Sequence, residues 1–217
     1  MTMTNASTNA GIAWEFDIFK PQAIWDSELL KQLGFIPGLK ELLMLRQVHA
    51  LEHATVWMLS EKDRPISPQT LLENSYPQDN DLLGGLSTDR GFYLYGQVDS
   101  LDLHRAVRMA LRKLKAGEWN LAIHPRCGTN LSVNMFLTAG FALGTHLLLP
   151  RGPIEQLIGL GLSTVVATQL APDLGMLAQK YLTTAIPFNL ELAEISITKD
   201  VWGRSAYFVS LRWQELQ

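Results

Sequence analysis

The sequence predicts an α+β chain, mainly helical, with a small β-sheet of hairpins and a transmembrane helical hairpin. Three observations predict it. A helical pattern of apolar residues runs from Gly38 to about Ser60. No Asp, Glu, Lys or Arg occurs between Arg126 and Arg151, and a second apolar run follows over Ile154 to Ala171. Alternating residues then close the chain, in Ile195-Ser-Ile-Thr-Lys199 and Tyr207-Phe-Val-Ser-Leu-Arg-Trp213, the period of a half-buried strand.

Length and charge narrow the function classes. A chain of 217 residues buries an ordinary core without disulfides or metals, so a metal here would serve function rather than rescue the fold. With 18 basic and 21 acidic residues there is no basic excess to bind nucleic acid. The single cysteine, Cys127, rules out an intrachain disulfide framework and suits a reducing compartment. Residues 1–11 are rich in Thr, Asn and Ala and lack a charged start before an apolar core. They read as a disordered tail and not as a secretory signal.

The elements follow in order. Asp26-Ser-Glu-Leu-Leu-Lys31 reads as a short capped helix. The long pattern from Gly38, with Leu39, Leu42, Leu43, Leu45, Val48, Leu51, Val56 and Leu59, is apolar nearly all round, as a buried helix is. Glu61-Lys-Asp-Arg-Pro65 ends it. Residues 66–90 read as a long loop, a candidate lid, with Gly84 to Gly91 as a tight turn region. Phe92 to Val98 is a strand by its aromatic and β-branched content. Asp99 or Ser100 caps an amphipathic helix that Gly117 stops. Its apolar stripe is Leu103, Val107, Ala110, Leu111 and Leu114. Trp119 to Ile123 reads as a short strand. The chain divides into the tail, a metal-site α+β region over 12–130, the hairpin over 131–171, and a C-terminal helix and β-hairpin over 172–217 that pack on the soluble region.

A membrane-spanning helix needs about 20 predominantly apolar residues. Leu131 to Leu149 and Ile154 to Ala171 approach that length, and Pro150-Arg-Gly-Pro153 turns between them. A buried hairpin of a soluble protein is the competing reading, favoured by Thr138, Thr145, His146, Thr164 and Thr168. Charge-free runs this long are uncommon in soluble helices, so the membrane reading is preferred. Arg105, Arg108, Arg112, Lys113, Lys115 and Arg126 precede the first segment and Lys180 follows the second, against Arg151 alone in the turn. That asymmetry predicts an integral membrane protein with its soluble part facing the cytoplasm. His146 lies within the first segment and reads as one half of an interhelical hydrogen bond.

Chemistry concentrates in two short blocks. In His49-Ala-Leu-Glu-His53 the residues at i, i+3 and i+4 share one helix face. Two imidazoles four apart can meet at one metal ion, with Glu52 beside them. This reverses the H-E-x-x-H zinc pattern and occurs in inverzincin peptidases; two histidines packed in a helical interface are the competing reading. His124-Pro-Arg-Cys127 adds a nitrogen and a sulfur donor in a turn. Zinc takes such ligands, so His49, His53 and Cys127 make three. His124 is either a fourth ligand or a neighbour of the site. Cys127 competes with a buried apolar cysteine, but Pro, Arg, Gly and Thr surround it. His104 reads as a surface residue, Arg126 as flanking the membrane, and Ser87 and Asp89 as residues that line the site from the loop.

His49-Ala-Leu-Glu-His-Ala-Thr55, followed by His124-Pro-Arg-Cys-Gly-Thr-Asn-Leu131, resembles the signature blocks of the DUF6391 family, found largely in cyanobacteria. Gly84-Gly-Leu-Ser87 and Gly91-Phe-Tyr-Leu-Tyr-Gly96 have counterparts there. The likeness covers about residues 45–150, and the blocks are also similar to those of the DUF1385 family. It implies a metal-dependent membrane protein and no particular reaction.

The sequence therefore leads to a zinc-dependent, membrane-associated hydrolase. Glu52 is its general base, zinc its cofactor, a peptide or other amide its substrate class, and the lipid bilayer its surroundings. A non-catalytic assembly or interaction protein with a structural zinc clasp, using all four ligands, is the alternative. A thiol enzyme with Cys127 as nucleophile and a haem held by His49 or His53 stand behind these.

Overall fold

The computed structural model describes residues 25–62, 79–150 and 152–215. The expected tail over 1–11, the stretch up to residue 24, the greater part of the predicted loop and Arg151 lie outside the described residues. The elements are α1 (Trp25–Leu33), α2 (Leu39–Lys62), β1 (Gly84–Thr88), β2 (Gly91–Tyr95), α3 (Ser100–Lys115), α4 (Gly128–Leu148), α5 (Pro153–Ala178), β3 (Leu190–Lys199) and β4 (Ser205–Trp213). The architecture is the expected one, mainly helical with a small antiparallel sheet and two long apolar helices.

α2 is the centre of the body. Every residue from Leu51 to Ser60 is buried, among them Leu51, Ala54, Val56, Trp57 and Leu59 of the core. Thr55 and Ser60 sit there without cost because each hydroxyl donates to the carbonyl one turn back, Leu51 O at 2.7 Å and Val56 O at 2.9 Å. α3 lays its predicted stripe on α2: Leu103, Val107, Ala110 and Leu114 are buried and Leu111 half-buried, with Ala106 added. Asp99 caps it, accepting from Leu101 N and Asp102 N, and Gly117 ends it at φ +106°.

The sheet runs β1-β2-β4-β3, all antiparallel. Two expectations are corrected here. Gly84 to Thr88, read as a turn, is a strand, and the turn is only Asp89-Arg90, with Thr88 opposite Gly91. Glycine lowers strand propensity because it has little to pack, but pairing with β2 and contact with α2 override that preference. Trp119 to Ala122, read as a strand, is a 3₁₀ turn, closed by Ile123 N donating to Asn120 O at 3.1 Å. Gly91 is needed where it stands: a Cβ there would lie 2.0 Å from Val209 O of β4. β3 and β4 form the expected C-terminal hairpin. Asp200 holds its turn by accepting from Trp202 N at 2.9 Å, Arg204 N at 2.8 Å and the Tyr95 hydroxyl at 2.8 Å.

α4 and α5 are joined by a short turn and pack side by side. Both extend beyond the apolar runs, to Gly128 at one end and Ala178 at the other. The residues of α5 that are buried recur every fourth position and are all small: Gly159, Ser163, Ala167, Ala171 and Gly175. Thr145 and Ser163 share a hydroxyl hydrogen bond of 2.6 Å across the seam. His146 pairs across it as expected, 3.3 Å from Gln156 Oε1. The large residues face outward, among them Leu131, Met135, Phe136, Leu143, Leu147, Ile154, Leu157, Ile158 and Leu162. Both helices are long and apolar enough to cross a membrane. α5 ends in a π-helical turn, Gln179–Thr183, which Arg46 of α2 clamps by donating to Tyr181 O at 3.2 Å and Thr184 O at 3.1 Å.

Candidate metal centre

His49, Glu52 and His53 share one face of α2, as their spacing requires. His49 Nδ1 lies 3.0 Å from Thr183 O and His53 Nδ1 lies 2.7 Å from Ala122 O. A carbonyl oxygen only accepts, so each Nδ1 is the donor of its pair and each Nε2 is the atom left to meet a ligand. This is how metal-binding histidines are oriented. The 3₁₀ turn matters here, because a strand would commit the carbonyl of Ala122 to a neighbouring strand.

Cys127 is the N-cap of α4, its sulfur accepting from Thr129 N. Its Sγ lies 3.2 Å from His49 Nε2. One ligand atom from each of His49, His53 and Cys127 lies within 4.8 Å of the others. Burial pushes the thiol up. Hydrogen bonding from His53, that ring's charge and the Thr129 hydrogen bonds outweigh burial, leaving the thiol below its ordinary value. Tetrahedral zinc, with bonds of about 2.0–2.3 Å, needs donors about 3.3–3.8 Å apart. The three groups fit that requirement with small side-chain adjustments.

Glu52 is buried against β1. Its Oε2 accepts from Ser87 Oγ at 2.5 Å. A Cβ on Gly85 would fall 2.1 Å from Glu52 Oε1, so only a glycine lets the strand lie over this carboxyl. Burial raises the Glu52 carboxyl above its ordinary value, against the opposing Ser87 hydrogen bond and the charge of His49. Of the two loop residues expected to line the site, Ser87 does. Asp89 sits in the β1–β2 turn, 3.9 Å from Arg90.

His124 is buried beside the cluster but stands outside the trio. Its ring packs on Trp57 with centroids 4.5 Å apart and is 5.6 Å from the His53 ring. Its Nδ1 accepts from Arg126 N at 3.3 Å, and Nε2 has Asp79 Oδ1 at 3.3 Å without a well-aligned hydrogen bond. Burial pulls His124 down to about 4, with Asp79 opposing, so the ring is neutral at neutral pH. Arg126 grips the Asp79 carboxylate with two nitrogens and also donates to Asn80 O at 2.9 Å and Leu83 O at 3.3 Å. It thereby ties the segment before β1 to the turn that carries Cys127.

These groups line a cavity of about 550 Å³, which Leu42, Leu45, Leu83 to Ser87, Thr129 and Leu182 complete. The cavity lies at the root of the apolar hairpin: Cys127 begins α4, and Thr183 ends the turn after α5. His104, half-buried on α3, lies outside it. Sequence reasoning misses the carbonyls of Ala122 and Thr183, for which no side chain gives a signal. It also misses Asp79, Gly85 and Gln179. Gln179 Oε1 accepts from His124 N at 2.8 Å and its Nε2 donates to Asn130 Oδ1 at 2.7 Å. A lone amide at the close of an apolar run is the one signal that points to it.

A family model described as a domain of unknown function, DUF6391, matches residues 44–195. That range holds both chemical blocks, β1, β2 and the hairpin. An uncharacterized protein of a Picosynechococcus species is 52% identical over 204 residues, spanning 94% of this chain and 97% of that protein. No solved structure matches.

Proposed function

The chain belongs to the DUF6391 family, and from that footing we propose that it is a membrane-associated, zinc-dependent hydrolase of peptide or other amide bonds. One observation carries the reading. Two histidine nitrogens and a cysteine sulfur converge within 4.8 Å, each histidine oriented by a carbonyl on its other nitrogen. These are the donor types that zinc takes. His49, His53 and Cys127 would hold the ion, which when bound would supply Lewis acidity to a carbonyl and to water.

The remaining roles belong to the chain. Ser87 holds Glu52 by Oε2, and the base role falls to this carboxylate. It takes a proton from the attacking water and passes it to the departing nitrogen while the carbon–oxygen bond forms and the carbon–nitrogen bond breaks. Its raised proton affinity suits it to hold that proton in between. The facing of His124 toward Asp79 favours three ligands and an open position, as catalytic zinc sites have, over the closed four-ligand clasp. The outward-facing leucines and phenylalanine of α4 and α5 support a hairpin that spans the bilayer. The basic residues before α4, with Lys180 after α5, support a cytoplasmic site.

A thiol mechanism has one specific observation in its favour, the 3.2 Å approach of Cys127 Sγ to His49 Nε2. Metal analysis of the purified full-length chain separates the two. The hydrolase reading expects about one zinc per chain, lost in Cys127→Ser and kept in Glu52→Gln. It also expects Glu52→Gln to cleave a quenched-fluorescence peptide library at least about 100-fold more slowly. A wild-type chain that binds no zinc but is alkylated rapidly at Cys127 overturns it.

A further inference from the structure

Among the described residues β1 has one neighbour, β2, and ends the sheet. Its pairing partners, Gly84 with Tyr95 through Thr88 with Gly91, all lie on that side. Successive side chains of a strand point to opposite faces. The cavity at the candidate metal centre touches Gly84, Gly85, Leu86 and Ser87 in succession. Gly84 and Gly85 have no side chain, so the cavity meets the backbone of β1 directly, beside an edge that no strand covers among the described residues.

Edges of this kind are commonly blunted by lysine, proline, a bulge or a covering element. Gly-Gly-Leu-Ser-Thr carries no such residue, and its pairing with β2 is regular. The same strand is fixed over the chemistry, since Ser87 bonds to Glu52 and Gly85 has no side chain to displace it. The cavity is also walled by Leu42 and Leu45, two turns and one turn before His49 on α2, and by Leu182, next to Thr183. Leu182 is 70% exposed and Leu42 54%. A line of amides and carbonyls with no strand beside it among the described residues therefore runs near the donor cluster, and an aliphatic wall stands close by.

We infer that the substrate is a polypeptide segment in extended conformation, which adds to the free edge of β1 as a further strand and sets aliphatic side chains against Leu42, Leu45 and Leu182. This rests on the metal-hydrolase reading and gives it a substrate class. Main-chain hydrogen bonds supply binding and register in strand addition, and pockets for alternate side chains supply preference. The register carries one carbonyl of the added strand past Glu52 and the three metal-binding side chains. A lipid ester or amide would use the aliphatic wall and leave the edge of β1 unpaired.

The zinc-loaded full-length chain in detergent is titrated with Ac-Val-Leu-Ala-Val-NHOH, with acetohydroxamate, with octanohydroxamate and with two forms of the peptide N-methylated at alternate amides. Zinc is measured on the same sample. The expected result is that the peptide hydroxamate binds at least about tenfold more tightly than either simple hydroxamate. One N-methylated form then loses about tenfold, the worth of roughly one or two hydrogen bonds, and the other keeps its affinity. Equal binding by both N-methylated forms and their parent overturns strand addition, as does octanohydroxamate binding as well as the peptide. With zinc present and acetohydroxamate bound, either result leaves the metal reading standing. A chain without zinc, or one that binds no hydroxamate, overturns the metal reading and this inference with it.

Discussion

Two regions of this protein bury opposite kinds of residue. Around α2 the interior holds large apolar side chains, among them Leu51, Phe92, Leu94, Leu103 and Leu114. Between α4 and α5 the interior holds Gly159, Ser163, Ala167, Ala171 and Gly175, and the leucines lie outside. On the proposed reading, in which α4 and α5 span a membrane, both follow one rule applied to two solvents. In water the gain comes from hiding large apolar surface. In hydrocarbon that gain vanishes, so helices associate through close backbone approach and hydrogen bonds across the seam, which small residues permit. The metal centre lies where the two regimes meet.

The largest test of this contrast uses one residue type in both places. Phe92 is 0% exposed and Phe136 is 79% exposed. Phe92→Ala is expected to cost about 3–5 kcal/mol, and Phe136→Ala under about 1 kcal/mol because lipid replaces the lost contact. Denaturant unfolding in detergent measures both, and similar losses would erase the distinction. Charge probes the outer face next. Phe136→Lys is expected to cost about 2.5–3.5 kcal/mol of insertion, read as protein released by carbonate extraction. A substitution that leaves extraction unchanged and improves solubility would return the hairpin to water.

A smaller effect sharpens the contrast within the hairpin. A Cβ on Gly175 would meet Asn130 Oδ1 at 2.2 Å, whereas one on Gly140 meets nothing within 4 Å. Gly175→Leu is expected to destabilise by about 1–3 kcal/mol and Gly140→Leu by less than about 0.5 kcal/mol. Thermal unfolding in detergent ranks them. Asn130 also bonds Gln179, which holds His124, so Gly175→Leu is expected to weaken zinc retention while Gly140→Leu leaves it intact.

The smallest effect belongs to the far end of the body. Burial pushes Asp200 up, but hydrogen bonds from Tyr95, Arg204 and Trp202 hold its carboxyl at about 2. A carboxyl whose proton affinity falls on folding stabilises the fold above its unfolded value near pH 4, and that contribution is lost as pH falls toward about 2. Amide exchange over residues 200–204 is expected to quicken across that window in the wild type and to show no such step in Asp200→Asn. Identical profiles would remove the role assigned to the turn.

The sequence by itself determined the helices with strong periodicity or strong composition. α2, α3, α4 and α5 each carry a local signal, either an apolar pattern, a cap or the absence of charge, that no distant contact has to supply. It also determined the donor types: His49, Glu52 and His53 share a face because helix geometry is fixed, and Cys127 stands out among Pro, Arg, Gly and Thr. Only tertiary structure decided which donors meet. Cys127 reaches His49 because α4 starts beside α2, whereas His124, three residues earlier, turns to Trp57 and Asp79. β1 and the 3₁₀ turn at Trp119 went unread for a related reason. Gly84-Gly85 has little strand preference of its own and becomes a strand by pairing with β2. Trp119 to Ala122 has strand-like residues, and packing on α2 bends it so that the carbonyl of Ala122 faces His53 and that of the next residue, Ile123, accepts from Trp57. Backbone groups that orient a metal ligand leave no mark in a sequence, because every residue carries them.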